Sequence, residues 1–222
     1  MLRLLKLVLQ QRKYFRQHFL FPKVRPSGFR PSHLREVLMC GISEIESTSL
    51  TVLTDFVNLS ASGTLPIEIA QILLAASLIP FRKNFSRDAS VAGGVRTIAS
   101  GETLRRLVAK CVLKKVQEKF KVIVTPLQCG VAVSDAVNSI AFTMRQYYEV
   151  LQTEPQLGLM QIDLCNAFNS VDRTPILQFV CSKLPEASAW AEWVLCAAAP
   201  LYLGTRQLLC TTGVQQGGPM YT

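Results

Sequence analysis

Two short apolar segments, separated by a polar connection that contains glycine, constrain the fold of this chain more than any other feature. The segments are residues 77–83 (SLIPFRK) and 95–99 (VRTIA), and NFSRDASVAGG lies between them. This arrangement is typical of two strands joined as a hairpin. The segment GETLRRLVAKCVLKKVQEKF follows at once and repeats apolar residues at helical spacing, leaving Arg105, Arg106, Lys110 and Lys114 to other faces. A hairpin followed by a long amphipathic helix predicts the α+β class.

Other parts of the chain carry weaker secondary-structure signals. Ser32 suits the start of a short helix that reaches about Met39, and Pro66 suits the first turn of a helix that ends near Ser77. Ser134 is a good N-cap for a helix whose apolar face runs from Val137 to Leu151. The further predicted elements are an apolar run over 50–59, a strand leading to Asp163, a helix from Pro175 to about Leu184, a helix over AEWVLCAAA and a strand in TRQLLC.

The charge distribution favours a polyanionic partner. The 222 residues carry a formal net charge of +9, and 49% of them are hydrophobic, enough for one sizeable core or two small ones. Residues 1–35 hold nine basic side chains and no acidic one, whereas residues 36–80 hold five acidic and no basic ones. Clustered Lys and Arg bind phosphates with release of counterions, although a basic surface also serves solubility alone. Nucleic acid is therefore the partner that the charge indicates.

Seven cysteines are scattered without a C-x-x-C pair, a pattern that argues against zinc and for reduced, mostly buried thiols in a cytosolic or nuclear setting. No apolar run approaches the ~18 residues of a membrane span, so we expect no membrane partner. The leucines and cations of residues 1–25 can form a basic amphipathic helix. A nucleic-acid-facing arm and a mitochondrial transit peptide are both compatible with that composition.

The segment GLMQIDLCNAFNSVDR, residues 158–173, indicates chemistry. An apolar strand that presents Asp163 at its end suits a two-metal site, because carboxylates on rigid backbone hold the cations that activate a hydroxyl and neutralise a triphosphate. A single such aspartate is more often a cap or an Asx turn. The full pattern, however, resembles motif A of reverse transcriptases from retroelements without long terminal repeats.

That resemblance implies roles for the motif A residues. Asp163 would bind both metals, Mg²⁺ or also Mn²⁺, with help from the carbonyl of Leu164. Asn166 and Ala167 would lie along the triphosphate. Phe168 would be the steric gate, since an aromatic ring beneath the sugar excludes a 2′-hydroxyl; ordinary core packing is its alternative role.

Segments before motif A resemble the fingers motifs of the same family. LIPFRKN, GGVRTIAS and the following helix match the Lys-bearing strand and the R-P-I motif, with Thr97 in place of the proline. The resemblance implies that Lys83 and Arg96 neutralise the triphosphate. RPSGFRPSHL resembles the family's P-S-G-x-R-P-x-H-L segment, and TPLQCGVAVSDAVNSIAF resembles the Q-x-G-V segment and its helix.

The segment TTGVQQGGPM, after motif A, resembles motif B, usually G-V-x-Q-G-D-P. Gln216 and Gly217 would lie against the nascent base pair and template, and Gly218 stands where the family has Asp. The matches follow the family order from Pro26 to Pro219. They imply right-hand polymerase fingers and a partial palm, with a basic arm over 1–25, a fingers-like region over 26–130 and a partial palm over 131–222. The implied partners are an RNA template, a DNA primer and deoxynucleoside triphosphates.

The family's motif C carries an Asp-Asp pair, and the 222 residues contain none. Asp172 is a poor substitute, because its position before Arg173 and Thr174 suits a helix cap. We therefore expect an RNA-directed DNA polymerase fragment of a mobile element that is inactive as this polypeptide, with an open sheet edge beside motif A. A non-catalytic nucleic-acid-binding remnant and an unrelated helical interaction protein are the alternatives. The chain has only two histidines and no G-x-S-x-G elbow, which argues against a hydrolase.

Overall fold

The computed structural model describes residues 3, 6, 27–82, 95–126, 128, 135–154, 156–164 and 166–215, with only the backbone of Arg96. Within them lie eight helices: α1 (Pro31–Leu38), α2 (Ser43–Ala61), α3 (Ile67–Leu73), α4 (Thr103–Val124), α5 (Ala136–Thr153), α6 (Ala167–Ser170), α7 (Arg173–Lys183) and α8 (Pro185–Cys196). Four strands accompany them: β1 (Ala76–Arg82), β2 (Val95–Gly101), β3 (Ala199–Leu203) and β4 (Arg206–Cys210). The α+β class is confirmed. None of the described helices combines the length and hydropathy that a membrane span requires.

The four strands form one mixed sheet in the order β2-β1-β3-β4. The predicted hairpin is confirmed, because β1 pairs antiparallel with β2 from Ala76 opposite Gly101 to Arg82 opposite Val95. β3 lies parallel to the start of β1 and antiparallel to β4. The strand β3 was not predicted, because its apolar residues continue the apolar run of α8 without a break in the sequence. The hairpin tip, residues 83–94, lies outside the described residues.

The contacts between Cα atoms divide the chain into two compact parts, residues 116–166 and the remainder. In the larger part, the predicted apolar face of α4 is buried through Leu107, Val108, Cys111 and Val112. Trp190 of α8 is also buried and stacks on Trp193 at a ring-centroid distance of 5.3 Å. The indole Nε1 of Trp193 donates to the carbonyl of Leu65 at 3.1 Å, which anchors α8 to the turn before α3. The division at residue 130 that the motifs suggest stays a prediction.

The smaller part differs from the sequence-based expectation in two respects. The helix α5 forms, but none of its residues is buried, and Val137 is 80% exposed. The strand expected before Asp163 is absent: residues 157–164 have no regular secondary structure, and Met160 is 82% exposed. A strand requires a neighbouring backbone to satisfy its N–H and C=O groups, and no described segment pairs with these residues. The hydroxyl of Tyr147 donates to the carbonyl of Gly158 at 3.4 Å.

Several helix bounds also differ from the prediction. The helix α2 begins at Ser43, well before the apolar run at 50–59, and α3 ends at Leu73 because Ser77 belongs to β1. The helix α5 begins after Asp135, whose φ of 58° is left-handed, and the predicted cap Ser134 lies outside the described residues. The amphipathic N-terminal segment also lies outside them, apart from the helical and exposed Arg3 and Lys6.

The expectation of mostly buried cysteines is wrong for the described part of the chain. Of its five cysteines, all free thiols, Cys111 alone is buried, whereas Cys40, Cys181 and Cys196 are exposed. Burial raises the pKa of the Cys111 thiol to about 11. The Cys181 thiol donates to Glu192 Oε1 at 3.2 Å, and this hydrogen bond is the main reason that its pKa is raised. The positions of the cysteines in the sequence therefore did not reveal which of their side chains face the core and which face solvent.

Candidate functional site

Asp163, the candidate catalytic carboxylate, lies exposed in the irregular segment 157–164. Its neighbour Leu164 is also exposed. The expectation that a rigid strand presents Asp163 is therefore wrong for this structure, since a strand would hold the carboxylate by its paired backbone. The side chain of Asp163 is accessible to a ligand but is not fixed by regular structure.

The residues after Asp163 turn sharply into a short helix. Asn166 has a left-handed φ of 52°, and Ala167 and Phe168 follow as the first residues of α6. The Phe168 side chain is 38% exposed, so it is neither buried core nor fully solvated. Part of the ring is therefore accessible to a ligand, and the remainder packs against the protein.

The end of the motif A segment contacts the start of the motif B segment directly through backbone. The N–H of Val214 donates to the carbonyl of Phe168 at 2.6 Å, and the N–H of Gly213 donates to the carbonyl of Val171 at 3.1 Å. Gly213 has a φ of +67°, and a Cβ there would collide with backbone atoms of Asn169 and Phe168. A glycine at 213 is therefore required for the two segments, more than forty residues apart, to approach each other.

We call the hydrogen-bonded contact between residues 168–171 and residues 213–214 the junction. Arg173 connects this junction to β4 and to α8. Its Nε donates to the carbonyl of Gly213 at 2.7 Å and its Nη2 to the carbonyl of Cys210 at 3.0 Å. Its Nη1 donates to the carbonyl of Leu195 at 2.8 Å and to that of Ala197 at 3.4 Å. Only Arg offers donors in a rigid planar fork that can reach three separate carbonyls. Sequence reasoning assigned no role to this residue beyond its place in the motif. Its signal was weak, because a basic residue after a helix cap is ordinary.

Asp172 has a structural role that excludes it as a ready substitute for a second catalytic carboxylate. Its Oδ1 accepts a hydrogen bond from the backbone N–H of Thr174 at 2.9 Å, at the N-terminus of α7. The prediction that Asp172 is a helix cap is confirmed. The carboxylate satisfies one of the amides that have no partner within the helix.

A buried polar network joins the motif B segment to α4. Arg105, which the periodicity leaves off the apolar face of α4, is only 5% exposed, and its Nη2 donates to Gln215 Oε1 at 2.6 Å. The Nε2 of Gln215, itself 7% exposed, donates to the carbonyl of Leu74 at 2.9 Å. A Cβ at Gly101 would collide with the Arg105 guanidinium, so β2 ends in the residue that leaves room for it. Helical periodicity did not reveal the burial of Arg105, because the pattern identifies the apolar face and does not show which polar residue contacts a distant segment.

The P-S-G-x-R-P-x-H-L segment is attached to the same end of α4. The backbone N–H and the hydroxyl of Ser27 both donate to the buried Glu102 carboxylate, at 3.0 and 2.5 Å. The hydroxyl of Thr103 donates to the carbonyl of Phe29 at 2.8 Å. About two turns further along α4, burial and the nearby charge of Arg106 lower the pKa of Lys110. The start of α4 therefore connects three of the segments that carry the family resemblance.

Four of the predicted nucleotide-binding side chains cannot be placed against this junction. Lys83, Gln216 and Gly217 lie outside the described residues, as does the side chain of Arg96. The backbone of Arg96 lies in β2 opposite Phe81. Gln215, which the structure describes, immediately precedes Gln216 and Gly217 in the sequence. The predicted pair is therefore connected along the chain to the buried polar network of Gln215.

The residues that the structure describes do not by themselves fit a two-metal centre. Among them no three His, Cys, Asp or Glu side chains come together as metal ligands, Asp163 is isolated on its segment, and Asp172 is used as a cap. We therefore assign no catalytic step to a metal ion in this chain. No protein-family model and no curated protein matches the sequence.

Loss of the Arg105 side chain is expected to destabilise the junction. Arg105→Met should lower the free energy of unfolding by about 2 kcal/mol, because the buried Gln215 oxygen loses its charged donor. Chemical denaturation with far-ultraviolet circular dichroism measures this change. Lys115→Met, an exposed position on the same helix, is the control and should change stability by less than about 0.5 kcal/mol. Equal effects of the two substitutions would contradict the structural role of Arg105.

Proposed function

We propose that this chain is the fingers and part of the palm of an RNA-directed DNA polymerase from a mobile element, and that it binds an RNA template and a DNA primer without extending it. The observation that carries the proposal is the hydrogen-bonded junction between the AFNSVDR and TTGVQ segments. These segments match motifs A and B in family order, and Arg105 links the second of them to the helix after the hairpin. Accidental matches have no reason to be neighbours in the fold.

Under this proposal the residues divide into a nucleotide side and a template side. Lys83 and Arg96 neutralise the triphosphate, Asn166 and Ala167 lie along it, and Phe168 excludes the 2′-hydroxyl. Gln216 and Gly217 contact the nascent base pair. Asp163 and the carbonyl of Leu164 would be the metal ligands that this chain supplies to Mg²⁺ or Mn²⁺.

Catalysis by this polypeptide is not part of the proposal. Two-metal nucleotidyl transfer requires at least two well-placed carboxylates. The 222 residues contain no Asp-Asp pair, Asp172 is used as a helix cap, and among the described residues Asp163 belongs to no group of three potential metal ligands. The second candidate function, a non-catalytic nucleic-acid-binding protein, is favoured by the same isolation of Asp163 together with the net charge of +9. Both candidates require binding, and they differ in whether the site ever receives nucleotide.

The chain is expected to bind an RNA–DNA template–primer duplex with strong salt dependence. The exposed cations Lys115, Lys119 and Lys121 of α4 bind phosphates, and removal of one such cation should reduce the slope of log K against log salt by about 1. Fluorescence anisotropy of a labelled duplex across a salt series measures the slope. The double variant Lys115→Gln/Lys121→Gln should lower it by about 2.

A matched control and a second assay separate the two candidates. Lys183→Gln, at the end of α7, should leave the slope unchanged. Primer extension with Mg²⁺ or Mn²⁺ should give no product, and incorporation of deoxynucleotides would show that the chain is catalytic. Protection of the bound primer end by a matching deoxynucleotide, abolished in Arg96→Ala, would favour the polymerase assignment over simple binding. Absence of any duplex binding at low salt would contradict both.

A further inference from the structure

The outer face of α2 carries an apolar stripe with a regular repeat. Ile45, Val52 and Leu59 are seven residues apart, and they are 45%, 61% and 51% exposed. Seven residues make about two helical turns, so the three side chains lie in one row along about 20 Å of helix. Single exposed apolar residues are common on proteins, but a row with this repeat is the pattern by which one helix packs against another.

The stripe lies on a different face from the one that α2 packs against the protein. Val57 and Ser60 are fully buried and mark the inner face. The partly buried Phe56 stands beside the row, four residues after Val52, where the second position of a packing seam would be. The stripe is therefore additional to the contacts that hold α2 in place.

The charges around the stripe define what can dock there. Glu44 and Asp55 lie along one side of it and are exposed, and residues 36–80 contain five acidic and no basic side chains. A second copy of this chain docked on the stripe would bring these carboxylates against their own counterparts. Nucleic acid is excluded by the same sign of charge. A helix with an apolar seam and flanking Lys or Arg complements both the row and the charge.

We propose that the α2 stripe is a docking surface for a basic amphipathic helix of a partner protein. The partner places leucine-like side chains along Ile45, Val52 and Leu59 and cations beside Glu44 and Asp55. The surface is separate from the motif A and motif B junction, so it provides a protein contact that the proposed nucleic-acid binding does not use.

The test measures binding of two designed peptides to the 222-residue chain by fluorescence anisotropy. The first is a leucine–lysine amphipathic helix of about 15 residues, long enough to run beside the stripe. The second is its leucine–glutamate counterpart. Because the whole chain is positively charged, general electrostatics favours the second peptide, whereas the proposal requires the first to bind. Val52→Lys and Leu59→Lys should each weaken the first peptide at least about tenfold.

One control substitution and several opposing outcomes test whether the α2 stripe is the docking surface. Leu208→Lys, at a similarly exposed position on β4, should leave peptide binding unchanged, and circular dichroism checks that every variant is folded. Equal binding of both peptides, or no effect of Val52→Lys, overturns the proposal. A carbodiimide crosslink between Lys6 and Glu44 within one chain overturns it in favour of the chain's own N-terminal segment. A dimer that Val52→Lys dissociates overturns it in favour of self-association.

Discussion

Arg173→Ala is expected to lower the free energy of unfolding by about 3 kcal/mol. The substitution removes the donors that serve the carbonyls of Gly213, Leu195 and Cys210. Hydrogen bonds to a charged donor contribute about 1.5–3 kcal/mol each, and partial access of water to this site reduces the total. Thermal unfolding should shift downward by about 6–12 °C.

Two further variants show whether geometry or charge is responsible. Arg173→Lys keeps the charge but offers a single ammonium, so it should recover less than half of the stability that Arg173→Ala removes. Arg206→Ala removes an exposed arginine from β4 and should change stability by less than about 0.5 kcal/mol. If Arg173→Lys were as stable as the wild type, the hydrogen bonds from the guanidinium to separate carbonyls would not be the source of the effect.

Gly213→Ala is expected to destabilise the chain by about 3 kcal/mol. An alanine at a φ of +67° costs about 1–2 kcal/mol in backbone strain alone. The added Cβ would also lie 2.6 Å from the carbonyl oxygen of Phe168 and still closer to Asn169, and these are backbone atoms that cannot rotate away. The hydrogen bonds from Gly213 and Val214 to the motif A segment would then break or lengthen.

Gly204→Ala provides a matched control, because Gly204 has a similar φ of +60° but open space around its Cα. Gly204→Ala should therefore lower the free energy of unfolding by about 1 kcal/mol, which is the cost of the backbone strain alone. The difference between the two alanine variants, read from denaturant midpoints at equal m-values, isolates the close approach of the two motif segments. Identical midpoints would mean that Gly213 serves only its own turn.

Arg173→Ala and Gly213→Ala both act on the junction, and neither changes a residue that is proposed to contact nucleotide. A chain that loses template–primer binding in Gly213→Ala but remains folded would connect the junction to the proposed function. A chain that retains binding would show that the α4 cations hold the duplex without help from the junction. The proposed polymerase origin predicts the first result, since Gln216 and Gly217 directly follow the junction.

Local patterns predicted much of the fold because they report interactions between near neighbours. The hairpin followed from two apolar segments around a glycine-containing connection, and α4 followed from helical periodicity. The Asp172 cap was also predictable, since its oxygen accepts from an amide only two residues away. The strand β3 was missed because its place in the sheet depends on β1, which lies more than a hundred residues earlier.

Sequence patterns were enough to predict the hairpin, the helix after it and the α7 cap, and they carry the segments that resemble polymerase motifs in family order. Three features became apparent only in the folded structure: Arg105 is buried against Gln215, Arg173 donates to carbonyls of separate segments, and Asp163 stands on an irregular segment instead of a strand. The physical reason is the range of the interactions. Turns, caps and amphipathic faces depend on residues a few positions apart, whereas buried polar pairs and strand partners depend on which distant segments meet.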